Sequence, residues 1–225
     1  MPKTSLKSLF EAIKETRLFS QLNDEQKREL AASTSVHYVE KSAYFVREGQ
    51  MLQHLFLIHK GRMKLFRHSV SGKTITVGVI RDGEPLILST LFTQKPCWVT
   101  AQAITDSIVL SIEKEKIIQF IEKNPNIAIL IIGILSGQVA RAYERLRDMV
   151  AETAEYRIYK TLRMLLERFG ATLSFTAKEI ADFSGTTTET TLRVFSRIKK
   201  QNIIQTSRGK IIILNPVKLL SLTED

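Results

Sequence analysis

The first half of the chain alternates short apolar segments with glycine-containing turns. The glycines lie eleven or twelve residues apart, at Gly49, Gly61, Gly72 and Gly83. Apolar segments occupy residues 54–58, 63–67 and 74–77, and residues 99–112 contain one or two more. Short strands at this spacing, joined by glycine turns, are typical of an antiparallel sandwich or roll. The pattern predicts an N-terminal antiparallel β-roll, a double-stranded β-helix.

After this region the apolar spacing becomes helical. Residues 113–123 predict a helix that an Asn-Pro pair stops, and a long helix follows from Pro125. Its apolar positions recur at alternating steps of four and three residues, at Ala128, Ile132, Leu135, Val139, Ala142, Leu146 and Met149. This heptad pattern predicts a seam with a second copy of the chain, with the positions from Ile132 onward as the dimer interface. A second apolar face (Ile127, Ile131, Ile134) would pack on the roll; the alternative is that both faces are intramolecular core.

The last third of the chain carries several helix boundary signals. A break at residues 151–153 indicates a hinge, and Thr153 is a suitable N-cap for a helix over residues 154–168 that stops at Gly170. Thr176 and Glu179 have the spacing of a capping box at the start of a short helix, which Gly185 ends.

A second short helix follows the glycine turn. It begins around residues 186–188 and runs to Gln201. Two short helices joined by a glycine turn predict a helix-turn-helix. Residues 203–206 and 211–214, joined by a turn at 207–210, predict a β-hairpin wing.

The second helix has side chains suited to the DNA major groove. Glu189 and Arg193 lie four residues apart and share a helix face; arginine pairs with guanine O6 and N7, and glutamate accepts from cytosine N4. The alternatives are a capping role toward Thr186 for Glu189 and a solvated surface role for Arg193. Basic side chains further along would contact phosphates. The predicted DNA-binding residues are Thr176, Thr187, Thr188, Glu189, Thr190, Arg193, Arg197, Lys199, Arg208 and Lys210.

Charge and cysteine content narrow the class of protein. The 225 residues have a formal net charge of +10, which favours nucleic acid as a partner over a membrane. A single cysteine excludes an intrachain disulfide and fits a cytoplasmic location. The longest unbroken apolar run, Ile127–Ile132, is far shorter than the ~20 residues that span a bilayer. No nucleophile–base pair, metal-ligand spacing or phosphate loop indicates an enzyme, so we expect a cytoplasmic, non-enzymatic protein that binds double-stranded DNA.

The stretch from Leu173 to Ile198, with its capping box, glycine turn, Glu189 and Arg193, resembles the winged helix-turn-helix of the cAMP receptor protein/FNR (Crp/Fnr) family. Residues 146–158 resemble the hinge of that family, and the roll, long helix and winged helix-turn-helix stand in the family's order. The resemblance implies an α+β fold with a cyclic-nucleotide-binding-like roll. It also implies that Glu189 and Arg193 read a G·C pair in each half of an inverted repeat with half-site centres ~10 bp apart. The family usually has a small residue before this arginine; here Leu192 leaves the flanking base preference open.

The phosphate-binding cassette of the family matches residues 86–92 and 97–99, but its polar residues are replaced. Ile87 stands at the glycine position, Leu88 at the ribose-binding glutamate and Cys97 at the phosphate-binding arginine. A bound anion needs a charged partner or a nest of N–H donors, so the resemblance disfavours cAMP as the effector. One cysteine is too few for the iron–sulfur cluster of the oxygen-sensing branch.

The same segment predicts an apolar effector pocket formed by Leu86, Leu88, Leu91, Phe92, Cys97 and Trp98. We expect a small organic effector there. Two alternatives stay open, a ligand-independent regulator and a haem-based gas or redox sensor with an iron ligand among His54, His59, His68, Met63 and Cys97. No spacing pairs the four histidines as a metal site, so each of them, His37 included, is expected to be structural or on the surface. Cys97 is expected to be a buried apolar residue rather than a thiol switch.

Together the patterns predict a homodimeric, sequence-specific transcription regulator under allosteric control. The predicted segments are an effector-sensing roll over residues 1–124, a dimerisation helix and hinge over 125–152, and a winged helix-turn-helix over 153–225. RNA polymerase would be a further partner if the protein is an activator.

Overall fold

The computed structural model describes residues 6–223, so the outer limits of the first and last predicted segments lie outside the described residues. At the N-terminal end, α1 (Leu6–Lys14), a 3-10 turn (Arg17–Phe19) and α2 (Asp24–Ala32) precede the first strand. Asn23 and Gln26 form a capping box at the start of α2. These helices cover one face of the roll, because Leu9, Ile13 and other apolar side chains of this segment join its core.

Two four-stranded sheets form the roll. The strands are β1 (Thr34–Val39), β2 (Tyr44–Val46), β3 (His54–Lys60), β4 (Met63–His68), β5 (Thr74–Ile80), β6 (Pro85–Leu86), β7 (Thr100–Ala103) and β8 (Ser107–Glu113). They pair in the orders β1-β8-β3-β6 and β2-β7-β4-β5, with antiparallel registers such as that of β1 with β8 and of β4 with β7. The predicted antiparallel roll is confirmed.

Two hydrophobic clusters fill the roll. Alternate residues of β8 point to opposite faces of its sheet: Leu110 and Ile112 join the cluster beneath the helices, whereas Val109 joins the cluster between the two sheets. The turn between β3 and β4 needs glycine, because Gly61 has a φ of +102° and a Cβ there would lie 2.3 Å from Ser107 Oγ.

Two helices follow the roll, α3 (Lys114–Lys123) and α4 (Pro125–Ala151). Ile127 and Ile131 of α4 are buried in the cluster beneath the helices, and Ile134 is partly buried there, so the predicted packing of this face on the roll is confirmed. Leu135, which the heptad pattern assigns to the dimer seam, packs partly buried against the same cluster. The reason is that Leu135 lies four residues after Ile131 and so shares its helix face.

Helix α4 is long and apolar enough to cross a membrane, by length and composition only. An 18-residue window within it has a mean hydropathy of 1.4, and 11% of that window is buried. Uncharged residues such as Gly133, Ser136 and Gln138 follow the unbroken run Ile127–Ile132, so the helix meets this criterion although its longest unbroken apolar run is short.

The C-terminal part is a helix-turn-helix with a three-stranded sheet. Its helices are α5 (Ala154–Phe169), α6 (Ala177–Ser184), α7 (Thr188–Lys200) and α8 (Pro216–Ser221). Its strands are β9 (Thr172–Leu173), β10 (Ile204–Ser207) and β11 (Lys210–Ile213), with β11 in the middle of the sheet. The winged helix-turn-helix is confirmed, whereas β9 and α8 were not predicted. The Thr153 hydroxyl accepts a hydrogen bond from the Tyr156 amide at 3.2 Å, which confirms the predicted N-cap of α5.

The chain divides into two compact units. The first comprises the residues up to 67 together with 77–139, that is, the roll, its flanking helices and the N-terminal half of α4. The second comprises residues 68–76, the tip of the β4–β5 hairpin, and the chain from residue 140 onward. The division falls inside α4, and the three functional segments described above stay a prediction.

Candidate nucleic-acid interface

Helix α6, the first helix of the helix-turn-helix, begins with the predicted capping box. The Glu179 amide donates to the Thr176 hydroxyl at 3.2 Å, and the Thr176 amide donates to the Glu179 carboxylate at 2.8 Å. The Thr176 hydroxyl also donates to this carboxylate, at 3.0 Å. The capping box is confirmed, and the Thr176 hydroxyl is engaged within the protein.

The turn after α6 depends on Gly185. This residue is left-handed, with φ 66° and ψ 31°, and its amide donates to the Ala181 carbonyl. A Cβ at Gly185 would lie 3.1 Å from the Met149 methyl of α4, which is tighter than an ordinary contact. Glycine therefore permits both the sharp turn and the close approach of α4.

A chain of buried hydroxyl groups fixes the entry into α7. Thr186 Oγ1 lies 2.9 Å from Ser184 Oγ and 3.2 Å from Thr191 Oγ1, and all three residues are buried. The Ser184 hydroxyl donates to the Ile180 carbonyl at 2.8 Å. The Thr186 hydroxyl is thus committed inside the turn, so Thr186 is not one of the residues that the helix presents to solvent.

Thr187 is the N-cap of α7, since its hydroxyl accepts a hydrogen bond from the Thr190 amide at 3.1 Å. Glu189 is therefore the second residue of the helix. A capping box needs the third residue, which is Thr190. The alternative of a capping role for Glu189 toward Thr186 is wrong.

One face of α7 is exposed and carries Thr188, Glu189, Leu192 and Arg193, while its other face buries Val194, Ile198 and their neighbours. Within residues 6–223, neither the Glu189 side chain nor the Arg193 side chain makes a hydrogen bond or an ion pair. Leu192 lies between them and is 54% exposed. The face thus presents an acceptor, a bidentate donor and an apolar group, which are the three chemistries that read base edges in the major groove.

The basic residues after this face have two different environments. Arg197 Nη1 lies 2.5 Å from both carboxylate oxygens of Glu155 on α5, so this arginine joins α7 to α5. The Tyr159 hydroxyl donates to the same carboxylate, and burial together with that carboxylate raises the pKa of the phenol. No local spacing pattern indicates this pair, because its two residues are 42 positions apart in the chain. By contrast, the exposed side chains of Lys199, Arg208 and Lys210 make no hydrogen bond or ion pair among the described residues.

The predicted hairpin is present, with a turn shorter than the predicted 207–210. Ser207 pairs with Lys210, and Arg208 and Gly209 form the turn between them, with Gly209 at a φ of +69°. Arg208 and Lys210 therefore lie at the tip of the wing.

The segment that resembles a phosphate-binding cassette has an unusual backbone. Ile87 has φ 54° and ψ 44°, the left-handed region, and precedes a 3-10 turn over Leu88–Phe92. A β-branched residue in this region costs ~1–2 kcal/mol. Ile87 is nevertheless buried, so a branched apolar side chain occupies a position whose backbone suits glycine.

The predicted effector residues are distributed between the core and the surface. Leu88 and Leu91 lie in the cluster beneath the helices, and Leu86 and Cys97 lie in the cluster between the sheets. Phe92 and Trp98 are exposed, at 50% and 47%. Burial raises the pKa of the Cys97 thiol, which donates to the Val99 carbonyl at 3.1 Å. Cys97 is thus the buried residue that was expected.

A cluster of rings between the two sheets was missed by the sequence analysis. The Phe45 and Phe56 ring centroids are 5.0 Å apart, that of His37 lies 5.7 Å from Phe45, and that of His54 lies 5.8 Å from Phe56. His37 Nε2 lies 2.8 Å from Ser111 Oγ. Burial, with a contribution from His54, lowers the pKa of His37 and favours its neutral form.

This ring cluster could have been found from alternation along the strands. His37 and Val39 are two residues apart on β1, and His54, Phe56 and Ile58 recur at the same period on β3. Since Val39 and Ile58 belong to the cluster between the sheets, the same period places the rings of β1 and β3 on that face of their strands, with His37 at its exposed edge.

The other residues considered as iron ligands have contacts of their own. His59 Nδ1 lies 3.5 Å from Glu15 Oε2, His68 Nδ1 lies 3.4 Å from the Thr74 hydroxyl, and Met63 is buried in the core. In the part of the chain that the structure describes, no three His, Cys, Asp or Glu side chains are grouped as a metal site would require.

A cavity of about 220 Å³ lies between α2 and α3. Its lining residues are Glu29, Leu30, Ser33, Ile112, Lys116, Gln119, Phe120 and Lys123. None of the predicted effector residues lines it. Two of its lysines are engaged by carboxylates, Lys116 by Glu113 and Lys123 by Glu29.

The predicted seam residues of α4 are exposed except for Leu135. The exposed members are Ile132, Val139, Ala142, Leu146 and Met149, and Ile129, Tyr143 and Val150 extend this apolar surface. The α4 stripe, by which we mean these eight residues, runs along most of the helix.

Comparison with known proteins agrees with this architecture. Residues 36–124 match the cyclic nucleotide-binding domain, and residues 156–222 match the Crp-like helix-turn-helix domain. The anaerobic regulatory protein of Bacillus subtilis (strain 168) is 25% identical over 185 residues, 78% of each chain. The cyclic AMP receptor protein of Thermus thermophilus is 24% identical over 165 residues, 73% of this chain and 76% of that protein.

The fold is also that of solved regulators. The structure of FixK2 from Bradyrhizobium japonicum matches with a TM-score of 0.76 at 17% identity, covering 85% of this chain and 98% of that one. With both domains matched and in the same order, the chain belongs to the Crp/Fnr family of DNA-binding transcription regulators.

Proposed function

We propose that this regulator binds an inverted-repeat operator as a homodimer, with α7 in the major groove, and that a small-molecule effector other than cAMP controls it. The observation that carries the DNA-reading part is the exposed face of α7, on which Glu189 and Arg193 have no partner among the described residues. An unpaired carboxylate and guanidinium one helical turn apart are free to pair with bases.

Each side chain on this face has a matching group in the major groove. Arg193 pairs with guanine O6 and N7, and Glu189 accepts from cytosine N4. The hydroxyls of Thr188 and Thr190 are further polar groups near the start of the helix. Leu192 fits the C5-methyl group of thymine, which is the apolar group that the groove offers.

Phosphate contacts would flank this face. Thr176 and Thr187 stand at the N-termini of α6 and α7, where backbone amides and the helix dipole favour anions. Lys199 lies near the end of α7, and Arg208 and Lys210 lie on the wing. We assign Arg197 to holding α7 on α5 rather than to phosphate, because Glu155 engages it.

The α4 stripe is the proposed dimer interface. Ile132, Val139 and Leu146 recur every seven residues, as a coiled-coil seam requires. The stripe continues past Arg141 and Glu144 into the charged half of the helix. Placing each such charge inside a bilayer would cost ~2.5–3.5 kcal/mol. A second copy would cover the stripe and leave these charges in water, so we favour a dimer seam over a membrane and a cytoplasmic protein over an anchored one.

The experiment that tests DNA reading starts from a random duplex library selected with the full-length protein. We expect an inverted repeat with a G·C pair in each half-site and half-site centres ~10 bp apart. The protein should bind it at least ~10³-fold more tightly than random duplex at ~0.15 M salt. Glu189→Ala should relax the preference for that pair, whereas Lys200→Ala, on the same helix, should leave it intact. Equal affinity of the wild type for selected and random duplexes would refute the proposal.

The nature of the effector follows from the cassette and the ring cluster. Ile87, Leu88 and Cys97 offer no charge to a phosphate, whereas Phe45 and Phe56 offer aromatic walls between the sheets. Uncharged walls favour a neutral organic molecule over a nucleotide. The names of the relatives, an anaerobic regulator and a cyclic AMP receptor, leave the effector of this chain open.

A second candidate is a ligand-independent regulator, which the buried cassette favours. Leu86, Ile87, Leu88 and Cys97 are buried as core side chains. Native mass spectrometry of the purified dimer, with and without added cAMP or haem, separates the candidates. A defined extra mass supports an effector, a gain of one cAMP per subunit refutes the assignment to a different ligand, and a bare dimer with full operator affinity supports ligand independence. RNA polymerase would be a partner only of an activator.

A further inference from the structure

The C-terminal end of α6 receives arginine side chains from two other helices. Arg145 of α4 donates from Nη2 to the Phe183 carbonyl at 2.6 Å. Arg157 of α5 donates from Nε to the Ser184 carbonyl at 3.0 Å, and from Nη1 to the Glu152 carbonyl at 2.7 Å. Phe183 and Ser184 belong to the last turn of α6, whose carbonyls have no partner inside the helix. A guanidinium at this end also complements the negative pole of the helix.

The same region links α4 to α5. The Asp148 side chain is 8% exposed, with Oδ2 2.6 Å from Lys160 Nζ of α5 and Oδ1 2.9 Å from Arg147 Nη2. Burial alone would raise the pKa of Asp148, but the hydrogen bonds from Lys160 and Arg147 outweigh it and lower the pKa below its ordinary value. The carboxylate is therefore charged at neutral pH and holds both cations.

We propose that Arg145, Arg157 and Asp148 form a clamp that fixes the recognition helix relative to the C-terminal half of α4. Arg145 joins α4 to α6, Arg157 joins α5 to α6, and Asp148 joins α4 to α5. Three helices linked pairwise cannot rotate about any single link. The clamp residues are positioning residues, because they act through α6.

The clamp reaches the base-reading face through the turn after α6. The Met149 methyl of α4 packs against Gly185, and the hydroxyl of Thr186 joins the end of α6 to α7. An orientation imposed on the end of α6 is thereby imposed on Glu189 and Arg193.

This inference rests on the proposed dimer. If α4 forms the seam, the clamp sets the separation of the two recognition helices and hence the half-site spacing that the dimer accepts. Without the clamp each helix-turn-helix would be a tethered module, and tethered modules tolerate a range of separations. The clamp is thus a determinant of operator spacing.

The test compares full-length proteins on three duplexes by fluorescence anisotropy. The duplexes are the inverted repeat selected by the wild type, the same repeat with two base pairs inserted between the half-sites, and a single half-site. The insertion rotates one half-site by about 70° relative to the other. The clamp variant carries Arg145→Met and Arg157→Met, which remove the donors and keep apolar length. Arg141→Met is the matched control, because Arg141 is an exposed arginine one turn earlier on α4.

We expect the wild type and the control to prefer the selected repeat over the lengthened one by about tenfold or more. The clamp variant should bind the single half-site within about twofold of the wild type, but its preference between the two repeats should fall below about threefold. An unchanged preference in the clamp variant overturns the clamp and leaves the proposed function standing. A wild type that does not prefer its repeat over random duplex overturns both.

If the double variant loses its helical circular dichroism, the same comparison uses Arg145→Lys and Asp148→Asn. Lysine keeps the charge at the end of α6 but lacks the planar fork of arginine, and asparagine keeps the size of aspartate. Each should reduce the spacing preference while half-site binding persists. An unchanged preference in both variants overturns the clamp.

Discussion

Leu192 gives the most direct test of how α7 meets DNA. Its side chain is 54% exposed, one residue before Arg193 and three after Glu189, on a face that is otherwise polar. A leucine side chain exposed to water has no favourable interaction there, whereas contact with the C5-methyl of thymine, an apolar group in the major groove, would remove it from water. We therefore predict that Leu192 contacts a thymine methyl in the base pair beside the G·C pair that Arg193 reads.

The size of this contact follows from the exposed area. Replacing thymine by uracil removes the methyl and keeps every hydrogen-bonding group of the base pair. One buried methyl is worth ~0.8 kcal/mol, about fourfold in affinity for each half-site. Because about half of Leu192 is available for burial, truncation to alanine should cost ~1 kcal/mol per half-site, half of the ~1.5–3 kcal/mol for burying a whole leucine.

A double-mutant cycle measures the contact itself. The wild type and Leu192→Ala are each titrated with the thymine and the uracil operator at one salt concentration. The wild type should lose about fourfold per half-site on uracil, and Leu192→Ala should bind both operators equally. Uracil at a thymine of the spacer is the control and should change neither protein. A coupling below ~0.3 kcal/mol per half-site, the limit of additivity, would show that Leu192 does not contact the methyl and that this turn of α7 does not face the base.

Three further predictions test the base contact, the seam and the clamp. Arg193→Ala should cost about 1–3 kcal/mol of operator-binding free energy and relax the sequence preference at one base pair per half-site. Lys199→Ala should weaken binding to all duplexes alike and reduce the salt dependence of log K by about one per subunit. An equal loss of affinity for all sequences in Arg193→Ala would contradict base reading. Leu146→Asp should dissociate the dimer in analytical ultracentrifugation, because it places an unpaired charge in an apolar seam. The control Val70→Asp, at a fully exposed apolar position outside α4, should not. An unchanged dimer mass for Leu146→Asp would locate the interface elsewhere. The pKa of Asp148 is lowered from its ordinary value of 3.8, so the charged carboxylate stabilises the fold above pH 3.8, and this stability is lost as the pH falls through the folded-state pKa. Asp148→Asn should therefore lower the urea midpoint at pH 7 and reduce the fall of that midpoint between about pH 5 and 2. The same acid dependence in both proteins would refute this role.

The helix-turn-helix was predictable because its signals are local. The capping box of Thr176 and Glu179 and the left-handed turn at Gly185 each depend on residues within one helical turn. Such contacts are readable from spacing alone. The same holds for Thr153, whose hydroxyl caps the next helix.

The start of α7 was less accessible, because three consecutive threonines can each cap a helix. What selects Thr187 is the burial of Thr186 against Ser184 and Thr191. That contact depends on how two helices pack, and no spacing rule encodes it. With Thr187 as the N-cap, the capping alternative for Glu189 falls away and its predicted base-reading role is the one that stays open.

Long-range pairing explains the other differences. The two-residue strand β6 pairs with β3 and so directs Leu86 between the sheets, whereas Leu88 and Leu91 in the next turn point beneath the helices. A segment this short has no period from which its direction could be predicted. The pair of Arg197 with Glu155 spans 42 residues and depends on the packing of α7 on α5.

The left-handed Ile87 shows why DNA reading is easier to infer here than effector binding. Its conformation costs ~1–2 kcal/mol, and burying an isoleucine side chain returns about 1.5–3 kcal/mol, so packing alone accounts for this residue without a ligand. The cassette therefore has a structural explanation that needs no effector. For Glu189 and Arg193 no such explanation exists, because neither side chain makes a hydrogen bond or an ion pair within residues 6–223 and an exposed surface would tolerate many other residues. The fold therefore accounts for the residues of the cassette, whereas the exposed, unpaired side chains on α7 have no role in the fold and are best explained by binding.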